Sequence, residues 1–340
     1  MTPTIPLNAP GTHHGFLRLP HSRDDSTWGS VMIPIAVVKG GTGPTALLTG
    51  ANHGDEYEGP LAIQRLLAEL DPARVKGRII AIPYLNLPAF RAGRRVSPID
   101  GVNLNRAFPG DPRGTVTQKI AAYVARELMP QADLVIDLHS GGRTLDFLPM
   151  ACAHELDDAG LAGRCLAAAR AVDAPFTLVL REIDAVGMFD SEVEGQGKTF
   201  VTTELGGGGT ATAASVAIAR RGVERVLVQA GVIEGRLDAG TTRLLTMPDD
   251  ASYHFAPEAG LFEPQVDLGA TVAAGQPLAR IWASDRTGAA PVSVTAQRGG
   301  LFVARHAPGL IQLGDCPAVL AVPAGSGGRR VDAPSGRAGV

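Results

Sequence analysis

Short apolar runs that alternate with stretches of helical period constrain this chain more than any other feature. VMIPIAVV (31–38) and TALLT (45–49) are bounded by Gly and Pro, as buried strands are. GPLAIQRLLAEL (59–70) follows, with apolar residues at helical spacing, a Pro in its first turn and a stop at Asp71-Pro72. The order then repeats: RIIAIPYL (78–85) as strand, 117–128 as helix, ADLVIDLH (132–139) as strand. A helix around 156–171, strands near 176–180 and 199–203 and a long helix over 211–231 complete the series. Strands alternating with helices predict an α/β fold: a mixed, mostly parallel sheet with helices on both faces.

After about residue 245 the texture changes to short apolar runs cut by Gly and Pro, as in GLFEPQVDLGATVAAGQPLARIW and GGLFVARHAPGLIQLGDCPAVLAV. Regular turn signals without helical period predict a small all-β domain. The expected division is therefore a main domain over 1–245 and a β-sandwich or barrel-like domain over 246–325. The Gly-rich polar end, 326–340, is expected to be a disordered tail.

Composition then removes several classes of function. With 45% apolar and 19% charged residues, and no apolar run near the roughly 20 residues that span a bilayer, no membrane role is expected. The net charge of −3 comes from interspersed signs without a basic stripe, so the expected partner is a small molecule and not nucleic acid. MTPTIPLNAP lacks the basic and apolar regions of a secretory signal, which points to the cytoplasm. Three distant cysteines, Cys152, Cys165 and Cys316, suggest buried thiols and neither a disulfide framework nor a Cys-based metal site.

Four segments carry the chemistry. In TGANHGDEYEG (49–59), His53 and Glu56 stand three residues apart in the loop after a buried strand. DLHSGG (137–142) places His139 at the end of another apolar strand, and the ends of parallel strands converge on the ligand crevice of open α/β sheets. Two imidazoles and one carboxylate hold catalytic zinc while leaving a position for water, so His53, Glu56 and His139 are the expected ligands of one Zn²⁺ per chain. VTTELGGGG (201–209) sets Glu204 at a strand end, where it is either a general base or a solvent-facing carboxylate. DGVNLNRAFPG (100–110) presents Asn103, Asn105 and Arg106, suited to a substrate carboxylate or an oxyanion, or else to a surface salt bridge.

Together and in this order, HGDE, NLNRAFPG, DLHSGG and TTELGGGG resemble the succinylglutamate desuccinylase/aspartoacylase family over about residues 30–325. The resemblance implies a zinc-carboxypeptidase-like fold and a zinc-dependent amidohydrolase acting on a linear amide. It carries the metal ligands to His53, Glu56 and His139, the general base to Glu204, and substrate binding to Asn105 and Arg106. Within the family, HGFLRLPHSRDDSTWG, FRAGRRVSPIDG and REIDAVGMFD are most similar to the deacetylases of Nα-acetyl-L-2,4-diaminobutyrate in ectoine degradation. The alternatives are a deacylase of succinylglutamate or acetylaspartate type and a carboxypeptidase.

One departure stands out: aspartoacylases proper carry an arginine in an NPRA-like segment, where this chain reads NLPAF with Pro88. Among Arg91, Arg94 and Arg95, Arg94 is the expected replacement that polarises the scissile carbonyl. A substrate with a free ammonium calls for an acidic partner, for which Glu182, Asp184 and Asp190 are candidates, Glu182 and Asp184 foremost. The C-terminal segment resembles a lipoyl or biotinyl-type sandwich but has Gln297-Arg298 in place of the Met-Lys pair, so no attached cofactor is expected. Its expected role is to narrow the mouth of the site or to mediate homo-oligomer assembly.

Overall fold

The computed structural model describes residues 1–180 and 186–325. Its backbone is one 15-stranded mixed sheet plus a separate four-stranded sheet near the C-terminus. The centre of the large sheet is four parallel strands in the order Arg78–Ile82, Thr45–Gly50, Leu134–His139 and Thr199–Glu204. Three of these four are buried at every position, as continuous apolar runs require, and Thr199–Glu204 is buried or half-buried throughout. The helices Glu58–Glu69, Ala159–Val172 and Ala213–Gln229 pack side by side against this sheet.

Expected and observed elements differ where the local pattern is weak. The helix expected over 117–128 is an α-helix only over Val116–Tyr123, capped by reciprocal bonds between Thr115 and Gln118, and then widens into a π-turn over Val124–Leu128. Two strands of five or more residues before residue 245 escape the apolar pattern. Gly11–Pro20 pairs along its whole length with Ser30–Lys39, although its first half is exposed or half-exposed. Met150–His154 runs antiparallel to Thr199–Glu204 and parallel to Phe176–Leu180.

The C-terminal region is all β. The strands Val292–Thr295, Pro277–Trp282, Gly260–Pro264 and Leu310–Ile311 form the four-stranded sheet over a small core that includes Phe262, Ile281 and Ile311. Hydrogen bonding does not stop at residue 245: Leu245 and Thr246 pair with Pro323 and Val322, and Arg243–Thr246 also continues the sheet through Phe176–Leu180. Gly300–His306 reaches back to pair with Leu145–Phe147. Among the described residues no helix is long and apolar enough to cross a membrane. The tail expected over 326–340 lies outside the described residues.

Candidate metal centre and its cavity

The parallel strands end side by side, and the site is built from the loops that leave them. After Gly50 the chain turns sharply at Ala51, whose φ of 50° is a left-handed conformation that costs a non-glycine residue about 1 kcal/mol. Backbone bonds from Leu85 to Gly50 and from Asn86 to Ala51 hold that turn against the neighbouring loop. At Gly54 the loop lies so close to the helix Leu87–Ala92 that a Cβ would stand 2.0 Å from the Ala89 carbonyl carbon. Glycine is required there by close approach, and His53 and Glu56 are thereby aimed inward.

Glu56 bridges the two imidazoles. Its Oε1 lies 2.8 Å from His53 Nδ1 and its Oε2 lies 2.9 Å from His139 Nδ1. The outer ring nitrogens are fixed as well: His53 Nε2 meets Asn103 Oδ1 at 3.2 Å, and His139 Nε2 meets Asp137 Oδ2 at 2.7 Å. Asp137 is held in turn by Thr49 Oγ1 and Asn52 Nδ2. Among the described residues, His53, Glu56 and His139 form a group that offers one donor atom each, all within 4.8 Å of one another. Two nitrogens and a carboxylate oxygen, with the far ring nitrogens anchored by oxygen acceptors, fit a divalent transition metal.

Burial and mutual charge set the protonation. Burial pushes the His53 imidazole down, against the attraction of Glu56. At His139 burial also opposes the charged form, but the Asp137 and Glu56 carboxylates outweigh it and hold this imidazole well above its ordinary value. Burial likewise works against an ionised Glu56, yet His53 and His139 keep its carboxyl well below the usual carboxylate range. The metal-free site thus stores a proton on His139 where a bound cation would place its own charge.

Glu204 is the register partner of His139 on the adjacent strand, so the two side chains leave the sheet together. The residue is half-buried, its buried Oε2 has no hydrogen-bond partner, and loss of solvent around the carboxyl followed by repulsion from Glu56 pushes it up to about 8. The four glycines that follow, Gly206 to Gly209, all have positive φ. They form a strap bonded to the DLHSGG loop: Gly141 and Phe147 donate to Gly206, Gly208 donates to Leu145, and Gly209 donates to Gly142. A Cβ on Gly207 would stand 1.9 Å from the Leu145 carbonyl oxygen, so this run is a tight clamp. The metal-ligand group and Glu204 open on one cavity of about 380 Å³, also lined by Arg95, Asn105 and Arg106.

A profile of the succinylglutamate desuccinylase/aspartoacylase catalytic domain matches residues 42–230, which include every one of these side chains. The chain belongs to this family. It is 52% identical to the N-alpha-acetyl-L-2,4-diaminobutyric acid deacetylase of Halomonas elongata, over 94% of each protein. The product-bound structure of the ectoine utilization protein EutE (DoeB) from Ruegeria pomeroyi superimposes with a TM-score of 0.92 at 57% identity, covering 94% of this chain and 98% of that one. A succinylglutamate desuccinylase/aspartoacylase from Rhodobacter sphaeroides gives 0.89 at 40% identity, covering 94% and 97%.

For a family member that lacks the arginine of the NPRA-like segment, the guanidinium beside the triad is Arg95. Its Nη1 is 3.3 Å from His53 Nδ1 and 3.8 Å from Glu56 Oε1. The expected Arg94 is placed differently: Gly93 is left-handed at φ 56°, the Arg94 backbone N–H closes the helix end on Ala89, and Arg95, not Arg94, lines the cavity. Asn105 accepts from Asn52 Nδ2 and from the Phe189 backbone, which leaves its Nδ2 as the donor for a ligand. Arg106 Nη1 bonds the Asn105 carbonyl. Glu182 and Asp184 lie outside the described residues. Sequence reasoning missed the anchors Asp137 and Asn52, although the DLH spacing contains a signal, since residues i and i+2 of a strand share a face.

Proposed function

We propose that this chain is a zinc-dependent deacetylase that hydrolyses Nα-acetyl-L-2,4-diaminobutyrate to L-2,4-diaminobutyrate and acetate. The observation that carries this reading is the Glu56-bridged pair of imidazoles with Glu204 in register beside it, its buried Oε2 without a hydrogen-bond partner, in a chain 52% identical to a deacetylase of that substrate. His53, Glu56 and His139 would hold the ion, which supplies Lewis acidity that acidifies a water and polarises an acyl carbonyl.

The protein's own groups do the rest. Arg106 and the Asn105 amide bind the substrate carboxylate and orient the amide bond. Arg95, at the edge of the triad, donates to the acyl oxygen as charge develops on it. Glu204 takes a proton from the attacking water and delivers it to the departing nitrogen as the carbon–nitrogen bond breaks. Acetate and the free ammonium result, with both water protons on nitrogen.

Acetate release by zinc-loaded protein from Nα-acetyl-L-2,4-diaminobutyrate, beside acetylornithine, acetylaspartate and succinylglutamate, tests the assignment. A strong preference for the first supports it. Activity confined to another of the four substrates keeps the deacylase chemistry and overturns the substrate.

A further inference from the structure

Beyond Glu204 at its metal end, one wall of the cavity takes no part in the chemistry above. Along the strand Thr199–Glu204, the side chains of Glu204, Thr202 and Phe200 share a face, because alternate strand residues point the same way. Opposite them on the antiparallel neighbour stand Met150 and Cys152, and the same face ends at His154, whose ring stacks on Phe200 at 6.1 Å and 14°. The cavity follows this face from the metal end to His154 and Asp190. Four residues of strand separate Glu204 from Phe200, about 13 Å.

The far end is a buried acid–base array. His154 Nδ1 lies 2.9 Å from Glu194 Oε1, and His154 Nε2 lies 3.8 Å from Asp190 Oδ2. The three side chains are 6%, 8% and 8% exposed. Asp190 reaches the cavity surface, whereas Glu194 stands behind His154. Arg95 and Arg106 line the metal end of the cavity and the Asp190 carboxylate lines the other.

We propose that Asp190, positioned by His154 and Glu194, is the specificity-determining residue that binds the side-chain ammonium of the substrate. This rests on the deacetylase function proposed above. Four bonds separate the two nitrogens of diaminobutyrate, about 5 Å when extended, short enough to lie along this face. A hydrogen bond of about 3 Å at each end, to Glu204 and to Asp190, brings the span to about 11 Å.

The test compares zinc-loaded full-length wild type with Asp190→Asn on two substrates, Nα-acetyl-L-2,4-diaminobutyrate and its neutral counterpart Nα-acetyl-L-2-aminobutyrate. Wild type is expected to favour the cationic substrate by at least about tenfold in kcat/KM, the size of one buried charge-assisted hydrogen bond. Asp190→Asn is expected to lose that preference through KM while its rate on the neutral substrate changes less than about twofold. Glu194→Gln, acting through His154, is expected to raise KM for the cationic substrate alone and to leave kcat in place. A preference that survives in Asp190→Asn overturns the proposal, as does a wild type that deacetylates both substrates equally, which leaves the deacetylase function standing. If neither substrate is hydrolysed, that function fails, and calorimetric binding of L-2,4-diaminobutyrate decides the subsite: tenfold weaker binding by Asp190→Asn supports it and equal binding overturns it. Asp190→Ser makes the same comparison should the amide variant not fold.

Discussion

The metal end of the sheet and the C-terminal β region meet at one cavity but are built on opposite principles. At the metal end polar side chains are buried and cross-braced, from Thr49 and Asn52 through Asp137 to His139 and Glu56. The C-terminal region buries small apolar clusters and leaves a cross-strand row of Leu310, Leu261 and Trp282 exposed on its outer side. It contributes wall, Tyr253, Phe255 and Cys316 among it, and none of the proposed reacting groups. A buried polar network fixes positions because each unmade bond is costly, whereas an apolar wall tolerates substitution and excludes water.

This contrast can be broken in graded steps. The largest effect is expected from Glu204→Gln: kcat/KM falls by about 10²–10⁴, the usual contribution of a general acid–base group, with metal content by mass spectrometry unchanged. Retained activity removes Glu204 from the mechanism. Asp137→Ala is expected to weaken metal affinity by about 10–100-fold through loss of the His139 anchor, read by competition with a chelator.

The metal-free protein should lose thermal stability as pH rises from about 7 to about 8. Glu204, held up to about 8, and His139, also raised, are protonated in the fold, while the unfolded chain has already lost both protons in that window. Groups raised in this way stabilise fully only below their unfolded values and lose that contribution as pH passes their folded ones. Glu56 and His53, both lowered, are deprotonated in either state across this window and add no slope. A flat Tm from about pH 7 to 8 without metal contradicts this protonation pattern. The smallest effect belongs to the other region: Leu261→Ser, at a 52% exposed position, should change stability by no more than about 0.5 kcal/mol and leave kcat/KM unaltered. A drop in kcat/KM there would show the C-terminal region to be an active participant.

What could be read from residues alone follows the range of the interactions. The parallel centre was legible because buried strands are continuous apolar runs, and His53, Glu56, His139 and Glu204 because each lies where such a run ends. Arg95 was not, since the left-handed turn at Gly93 decides which of two adjacent arginines faces the triad, and helical periodicity is silent about that turn. The strand Gly11–Pro20 depends on pairing with Ser30–Lys39 and carries little apolar signal of its own. Sheet continuity past residue 245 depends on partners near residue 323, a relation that no local window contains. The acid at the far end of the cavity was visible as Asp190, but its backing by His154 and Glu194 joins residues up to 40 positions apart.

The return of Ala318–Pro323 and Gly300–His306 to the main sheet gives synthesis of the protein a direction. Chains fold from the N-terminus as they emerge. By the time residue 250 has emerged, His53, Glu56, His139 and Glu204 have all been made with the wall strands Met150–His154 and Thr199–Glu204, whereas the C-terminal part of the wall, Tyr253, Phe255, Val303, Cys316 and Val319, has not. The nascent chain therefore acquires its reactive groups before it acquires the C-terminal part of the enclosure that selects what reaches them, and among the described residues the strand Ala318–Pro323 closes the site.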